Sequence, residues 1–307
     1  MNILIIGLGS IATKHIQVIR SLNFETNLYA LRSNVNAKIE IGITNIFNIE
    51  NCELEFHFAI ISNPTYLHYK FIDLLAKRGV NLFIEKPPVN TLKNLDFLVN
   101  LIKDKKIINY VACNLRFHPC IQFLKKELQL GNKKINEVNV YCGSYLPDWR
   151  PSYNFRESYS VNSEMGGGVH LDLYHELDFT TWIFGVPTKS HCTLRNVSSL
   201  EIDAIDYANY ILQYDNFSAS IILNYYRRDK KRFLEIIFDD ETWTVDLIHN
   251  SIKGSKSGIL YHSSDFIMDN TYHDQMNYFL KLINLKENSM NSLSDAHEVL
   301  KICLINE

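Results

Sequence analysis

The sequence predicts two domains: a doubly wound parallel α/β sheet over residues 1–118, and an α+β domain with a largely antiparallel open sheet over residues 119–307. Three observations carry this reading. Short apolar runs alternate with helical patterns through the first part, which makes a parallel sheet with crossover helices the economical answer. A glycine-rich turn stands directly after the first of those runs. From Asn114 to Pro119 the chain changes style, and the strand-like runs that follow are separated by turn pairs such as Asp215-Asn216 and Asp239-Asp240.

Ile3-Leu4-Ile5-Ile6 is a continuous apolar run of buried-strand type, and Ile11, His15, Val18 and Ile19 then recur at helical spacing. Between them Gly7-Leu8-Gly9-Ser10-Ile11-Ala12 forms a G-x-G-x-x-[GA] fingerprint, with a strand before it and a helix after it. Gly7 permits the tight turn, Gly9 lets backbone approach a pyrophosphate, and Ala12 is small enough for helix to pack on strand. The motif alone is weak, but its context places a dinucleotide site ahead of an ordinary βα turn. Gly7, Gly9, Ser10 and Ile11 are its phosphate-binding candidates.

The second strand, Asn27 to Leu31, leads to the position that reads the adenosine ribose. An NAD site commonly has a carboxylate there; this chain has Arg32-Ser33-Asn34. A guanidinium and a hydroxyl suit a 2′-phosphate, so NADP is the preferred cofactor, although Arg32 can equally stack on adenine in an NAD site. A third strand is expected near Ile43 to Phe47 and a fourth over His57 to Ile61. Ser62-Asn63-Pro64-Thr65 then turns into a helix, Tyr66 to Arg78, whose first turn carries His68 facing the sheet edge or solvent. The next apolar run ends in Glu85-Lys86-Pro87-Pro88. The prolines force an extended exit and hold Lys86 at the strand's carboxyl edge, where ligands of open parallel sheets sit. The bland alternative is a solvated lysine stopped by a Pro-Pro turn. A helix around Thr91 to Lys103 and a strand from Ile107 to Cys113 complete the domain. Asn63, Pro64, His68, Glu85, Lys86 and Asn114 at these strand ends join the cofactor-binding candidates.

In the second domain Pro119 starts a helix that ends near Leu130-Gly131. Strands are expected over Ile135–Tyr145, Thr188–Arg195, Asp206–Tyr214, Phe217–Tyr226, Phe233–Phe238 and Thr242–Ile248, and the last forty residues return to helix. One segment stands apart, Gly166-Gly167-Gly168 followed by Val169 to Asp178. Its glycines let a backbone come close to something, and Asp172 and His175 lie three residues apart on the helix they open. Asp178 repeats that spacing and can orient or charge the imidazole. A metal set of His170, Asp172, His175 and Asp178 lacks a well-spaced soft ligand, so no metal is expected. The plain alternative is that His175 is a satisfied helical hydrogen-bonder. Upstream, residues 146–159 are too aromatic for a solvated linker. Trp149 and Tyr153 can stack on a sugar, and Arg116, Arg150 and Arg156 complete the substrate-binding candidates; the two loop arginines can fork onto a carboxylate or phosphate. The alternative is packing of this loop on a neighbouring subunit.

Composition narrows the function classes. The chain has 307 residues, 46% hydrophobic, and a formal net charge of −3, which gives no basic field for nucleic acid or an anionic membrane. No apolar run approaches bilayer-spanning length. The six cysteines form no C-x-x-C pair and read as reduced thiols, and the strand beginning at the second residue leaves no room for a leader, so a cytoplasmic protein is expected.

In this order and at these separations, G-L-G-S-I-A, S-N-P-T-x-x-H, the E-K-P strand end and G-G-G-V-x-L-D-x-x-H-E-x-D resemble the glucose-fructose oxidoreductase/inositol dehydrogenase (Gfo/Idh/MocA) family over nearly the whole chain. The resemblance implies a Rossmann domain, a second domain whose open sheet mediates homo-oligomerisation as a dimer or tetramer, and reversible hydride transfer at a sugar or cyclitol carbon. It maps the family's lysine onto Lys86, its aspartate onto Asp172 and its histidine onto His175. Many members place the histidine four residues after the aspartate; here it is three. Oxidising an alcohol requires removal of the hydroxyl proton as hydride leaves. His175, with an ordinary pKa of about 6.5, suits that task. Lys86 would stabilise the developing alkoxide while Asp172 holds the sugar or the imidazole. An anionic or nucleotide-linked sugar is the expected substrate. The alternatives are redox-neutral glycoside cleavage or epimerisation with retained NAD, and a non-catalytic ligand sensor.

Overall fold

A computed structural model describes residues 1–22, 25–37, 39–131 and 133–305. The chain divides into two compact units: Met1–Asn114 together with Asp269–His297, and Leu115–Met268 together with the stretch from Glu298 onward. The boundary expected at 118 thus falls at Asn114, and the segment from Asp269, expected in the second domain, belongs to the first.

In the first unit β1 (Asn2–Ile6) leads to α1 (Ser10–Ser21), followed by β2 (Asn27–Leu31), β3 (Ile43–Ile46), β4 (Phe58–Ile61), α2 (His68–Lys77), β5 (Asn81–Ile84), α3 (Leu95–Asp104) and β6 (Asn109–Val111). The strands form one sheet in the order β3-β2-β1-β4-β5-β6, every pair parallel. The order reverses between β1 and β4, the switch point at which such sheets take ligands. Ile3, Leu4, Ile5 and all of β4 are fully buried, as continuous apolar runs in a sheet covered on both faces must be. Two helices start later than their apolar periodicity indicates. Thr65–Leu67 is a 3₁₀ turn before α2, and α3 begins only after Asn94, which adopts a left-handed φ of 60°.

In the second unit α4 (Pro119–Gln129) and β7 (Ile135–Gly143) precede four short 3₁₀ turns, then α5 (Val169–Asp172) and α6 (Tyr174–Phe184). Next come β8 (Lys189–Arg195), β9 (Tyr207–Gln213), β10 (Ser218–Asn224), β11 (Lys231–Phe238), β12 (Thr242–Asp246), β13 (Ser251–Gly254) and β14 (Gly258–His262). The eight strands run β14-β13-β12-β11-β7-β10-β9-β8. All neighbours are antiparallel except the β7–β10 pair. The β13–β14 hairpin was not expected: Lys253, Gly254 and Ser255 give it no apolar alternation.

Two further helices close the chain, α7 (Asp269–Leu285) and α8 (Leu293–Cys303). Phe279 of α7 explains why this segment joins the first unit. Its ring meets Phe58 at 5.3 Å and Phe83 at 5.4 Å, inside the parallel sheet's core. Asn291 then exchanges two hydrogen bonds with Val111, extending the β6 edge. None of the six cysteines is in a disulfide, and no described helix is long and apolar enough to cross a membrane.

Candidate active site

The glycine turn of the first unit is built for an anionic ligand. Gly7 has φ +87°, and a Cβ there would overlap the backbone of Asn63, so the turn after β1 and the turn after β4 touch through the missing side chain. A Cβ on Gly9 would meet nothing within 4 Å, leaving open space over the start of α1. That helix has no side-chain cap and no acidic residue in its first turn. Its first N–H groups, beginning at Ser10 and Ile11, and its positive dipole end are therefore not neutralised from within that turn. Asn63 leaves both amide atoms buried without a hydrogen-bond partner, and Nη1 of Arg32 is likewise buried and unpartnered, whereas Ser33 beside it is exposed. Buried polar atoms without partners are costly. A dinucleotide lying along Gly9, Asn63 and Arg32 would satisfy them, so these residues fit the cofactor.

The lysine-bearing strand end is braced from below. Glu85 is buried, and its Oε1 lies 2.6 Å from Nε2 of His15, a fully buried histidine on α1 whose ring stands edge-on to Phe83 at 4.9 Å. The second carboxylate oxygen accepts from the Lys86 N–H at 3.3 Å. Glu85 is thus committed to protein partners rather than presented to a cofactor. His68 does not face solvent: it is 1% exposed, with its ring nitrogens 2.8 Å from the Asn63 carbonyl and 3.1 Å from that of Pro88. Burial lowers its pKa, so the neutral ring ties the Asn63 turn to the turn after β5. Pro64 opens the 3₁₀ turn at the surface, Lys86 is half-buried, and Asn114 donates to Thr271 at 2.7 Å inside the core. The Asn114 amide holds α7.

In the second unit the glycine-led helix is not continuous. It breaks at Leu173 (φ −96°, ψ 32°), so Asp172 ends α5 and His175 lies in the first turn of α6, which replaces the common helical face expected of them. The glycines approach the chain's own backbone: Gly167 N–H donates to Asn162 O at 2.9 Å and Gly168 N–H to Ser160 O at 3.1 Å. Asp172 is buried and accepts from the Tyr225 hydroxyl at 2.6 Å. The negative charge of the same carboxylate, together with burial, pushes the Tyr159 phenol's pKa well above its ordinary value. Tyr225 is also raised well above its ordinary value, first by burial and then by Asp172.

His175 is half-buried, and two carboxylates that follow it in the chain are held in ion pairs. Glu176 is held by Arg232 at 2.6 and 3.0 Å, and Asp178 by Arg116 at 2.7 and 2.9 Å, all with little or no exposure of the carboxylates. Arg116 is therefore not a free substrate arm: it is 3% exposed, spent on Asp178, and lies over the Trp182 ring. Asp178 correspondingly does not serve His175. No set of three metal-ligating side chains converges among the described residues.

The loop over 146–159 folds as 3₁₀ turns. Trp149 donates to Ser144 and stands edge-on to Tyr225 at 5.4 Å, and Tyr153 donates to the Glu157 carbonyl. Arg156 lies on Phe155 and donates to the Glu201 carbonyl, so its guanidinium has a protein partner; Arg150 is exposed. His15, Tyr225 and Arg232 had no signal in the sequence that set them apart. His15 reads there as one more residue on the buried face of α1, and Tyr225 as the end of a strand.

These features define a two-domain, dinucleotide-binding protein of the oxidoreductase type. Residues 1–113 match the profile described as "Oxidoreductase family, NAD-binding Rossmann fold", and residues 128–244 match the "GFO/IDH/MocA C-terminal domain". The chain belongs to the Gfo/Idh/MocA family. It is 27% identical over 133 residues to levoglucosan dehydrogenase of Pseudarthrobacter phenanthrenivorans, covering 43% of this chain and 34% of that protein. It is 24% identical over 176 residues to 2,7-anhydro-N-acetylneuraminate hydratase of Mediterraneibacter gnavus, covering 56% of this chain and 44% of the relative. The matched stretches span less than half the length of these relatives. The structure of levoglucosan dehydrogenase in complex with NADH and levoglucosan superposes with a TM-score of 0.83 at 16% identity, over 99% of this chain and 95% of that one. At that identity the likeness is one of fold.

Proposed function

We propose that the protein is an NAD(P)-dependent oxidoreductase acting on a secondary alcohol or ketone of a sugar or sugar derivative. The observation that carries this reading is the combination, in one chain of this family, of a dinucleotide turn with unsatisfied polar atoms and intact Lys86, Asp172 and His175. Gly9, Asn63 and Arg32 hold the dinucleotide, and the bound nicotinamide supplies the hydride acceptor or donor. In the oxidative direction His175 takes the hydroxyl proton while the carbinol hydrogen leaves as hydride, and Lys86 hydrogen-bonds the oxygen as its charge develops. Asp172 holds a neighbouring hydroxyl. Reduction reverses each transfer. Arg32 favours the 2′-phosphate of NADP, and Arg150 is the exposed cation that remains for an anionic or nucleotide-linked sugar. The half-exposed outer face of the second sheet is the surface we assign to homo-oligomerisation.

One observation favours a second reading. A hydratase among the relatives acts without net electron transfer by its name, so a redox-neutral reaction with retained cofactor is the alternative. A screen of sugars, amino sugars and nucleotide sugars with both cofactors, read by the absorbance of the reduced nicotinamide, tests the proposal. Substrate-dependent change in cofactor redox state supports it; product formation with no such change moves the chain to the redox-neutral class.

A further inference from the structure

We infer that His15 and Glu85 are positioning residues for Lys86: a buried imidazole–carboxylate pair that fixes the peptide from which the lysine side chain reaches the reacting oxygen. Both act through the lysine, so the inference rests on the proposed function and adds two residues to it. The pair is an exception within an apolar core. The face that α1 buries carries Ala12, His15, Ile16 and Ile19, one imidazole among aliphatic side chains. A fully buried ring of that kind is costly unless it is hydrogen-bonded. Its Nε2 lies 2.6 Å from Glu85 Oε1, and its Nδ1 is buried without a hydrogen-bond partner among the described residues. A proton on Nδ1 would leave a buried donor with no acceptor, so the tautomer that fits is Nε2–H donating to the carboxylate.

The carboxylate passes this anchorage on to the lysine. Glu85 is fixed to the sheet by its own backbone, whose N–H donates to Ile61 O at 2.8 Å, and its Oε2 accepts from the Lys86 N–H at 3.3 Å. The Lys86 peptide is thereby tied to α1. Two residues further on, the Pro88 carbonyl lies 3.1 Å from Nδ1 of His68, so the segment from Glu85 to Pro88 is gripped at each end by a buried histidine. A lysine stem is flexible, and where its ammonium can go is set first by the orientation of its own peptide. Stability alone would not call for this pair, because apolar side chains of similar volume often serve a core as well as a buried imidazole and carboxylate do. What they cannot supply is an acceptor for the Lys86 N–H.

The test separates positioning from support of the fold. His15→Phe/Glu85→Met keeps the core filled and removes the buried pair. Its thermal unfolding and its dissociation constant for reduced cofactor should stay close to those of the parent, while kcat for the sugar falls by about tenfold to a hundredfold. A parent-like kcat overturns the inference. His15→Gln, whose amide can donate from the position of Nε2, should keep kcat within a few-fold of the parent where His15→Phe does not; an equal loss in both would mean that ring shape and not the hydrogen bond matters, which also overturns it. Because the pair acts through the lysine, adding Lys86→Ala to the double variant should cost no more than Lys86→Ala costs alone, and multiplied losses contradict that. One arm needs no turnover. The Lys86 amide should exchange its hydrogen at least about tenfold faster in the double variant while the amides of β1 exchange as in the parent, and unchanged exchange overturns the brace. If the parent oxidises or reduces no sugar, the proposed function fails, while the amide exchange still decides whether the pair holds the lysine.

Discussion

The cofactor turn and the surroundings of Asp172 are both polar and largely buried, yet they are built in opposite ways. At the turn the protein supplies backbone N–H groups and leaves side-chain atoms unsatisfied: Asn63, Nη1 of Arg32 and the uncapped start of α1. In the second unit polar groups meet one another: the Tyr225 phenol on Asp172, Arg232 on Glu176, Arg116 on Asp178. Unsatisfied buried atoms are tolerated where a ligand completes them, whereas a saturated network fixes geometry before any ligand arrives. The first region is an incomplete receptor. The second is a preorganised frame that exposes a chosen few atoms.

The largest effect should come from the region with least tolerance. Gly7→Val places a β-branched residue at φ +87° against the Asn63 backbone, so reduced-cofactor binding by fluorescence titration should weaken by at least about a hundredfold. Binding within a few-fold of the parent would show that the two turns need not touch. Next, Lys86→Ala should lower kcat/KM by about 10²–10⁴-fold with the cofactor dissociation constant nearly unchanged, because its work is on the transition-state oxygen. A matching loss in cofactor affinity would place Lys86 in the receptor instead.

In the saturated region, Arg232→Met leaves Glu176 buried and unpaired. Urea unfolding should show a loss of about 3–5 kcal/mol, much of it recovered in Arg232→Met/Glu176→Gln. No recovery in the double variant would mean that Arg232 stabilises through its packing. Smaller again, Arg32→Ala should reduce the NADP-over-NAD preference by about tenfold, the worth of one charge-assisted phosphate contact. Equal dissociation constants for both cofactors in the parent would sink that assignment. A further effect is a slope with pH. Burial lowers the His118 pKa to about 4, so the folded protein resists its protonation more than the unfolded chain does. Its contribution is fully present above the unfolded value of about 6.5 and is lost as pH falls toward 4, about 2 kcal/mol by pH 5. His118→Asn should flatten that part of the stability curve.

The same contrast explains what could be read from the residues alone. Backbone-determined features were legible: Gly7 and Gly9 between an apolar run and a helical period, the E-K-P exit, and the parallel order implied by alternating elements. Side-chain networks were not, because their partners are remote in sequence. Tyr225 lies 53 residues from Asp172 and Glu85 lies 70 from His15. Arg116 looked like a ligand arm because nothing local shows that Asp178, 62 residues on, neutralises it. The break at Leu173 has no glycine or proline to announce it, so Asp172 and His175 read as one helical face. The β13–β14 hairpin escaped for a related reason: it is an edge pair held by backbone hydrogen bonds, with little apolar alternation to betray it.

We propose that hydride passes between a nicotinamide and a sugar carbon, with Lys86, Asp172 and His175 acting on the reacting oxygen, its proton and a neighbouring hydroxyl. The most direct test supplies deuterium-labelled reduced cofactor with a panel of keto-sugars and examines the products by mass spectrometry. The account predicts a product alcohol carrying one deuterium on the former carbonyl carbon, formed by the parent and suppressed in Lys86→Ala. Tight binding of cofactor and sugar without label transfer to any product would contradict it and leave a ligand sensor on this fold.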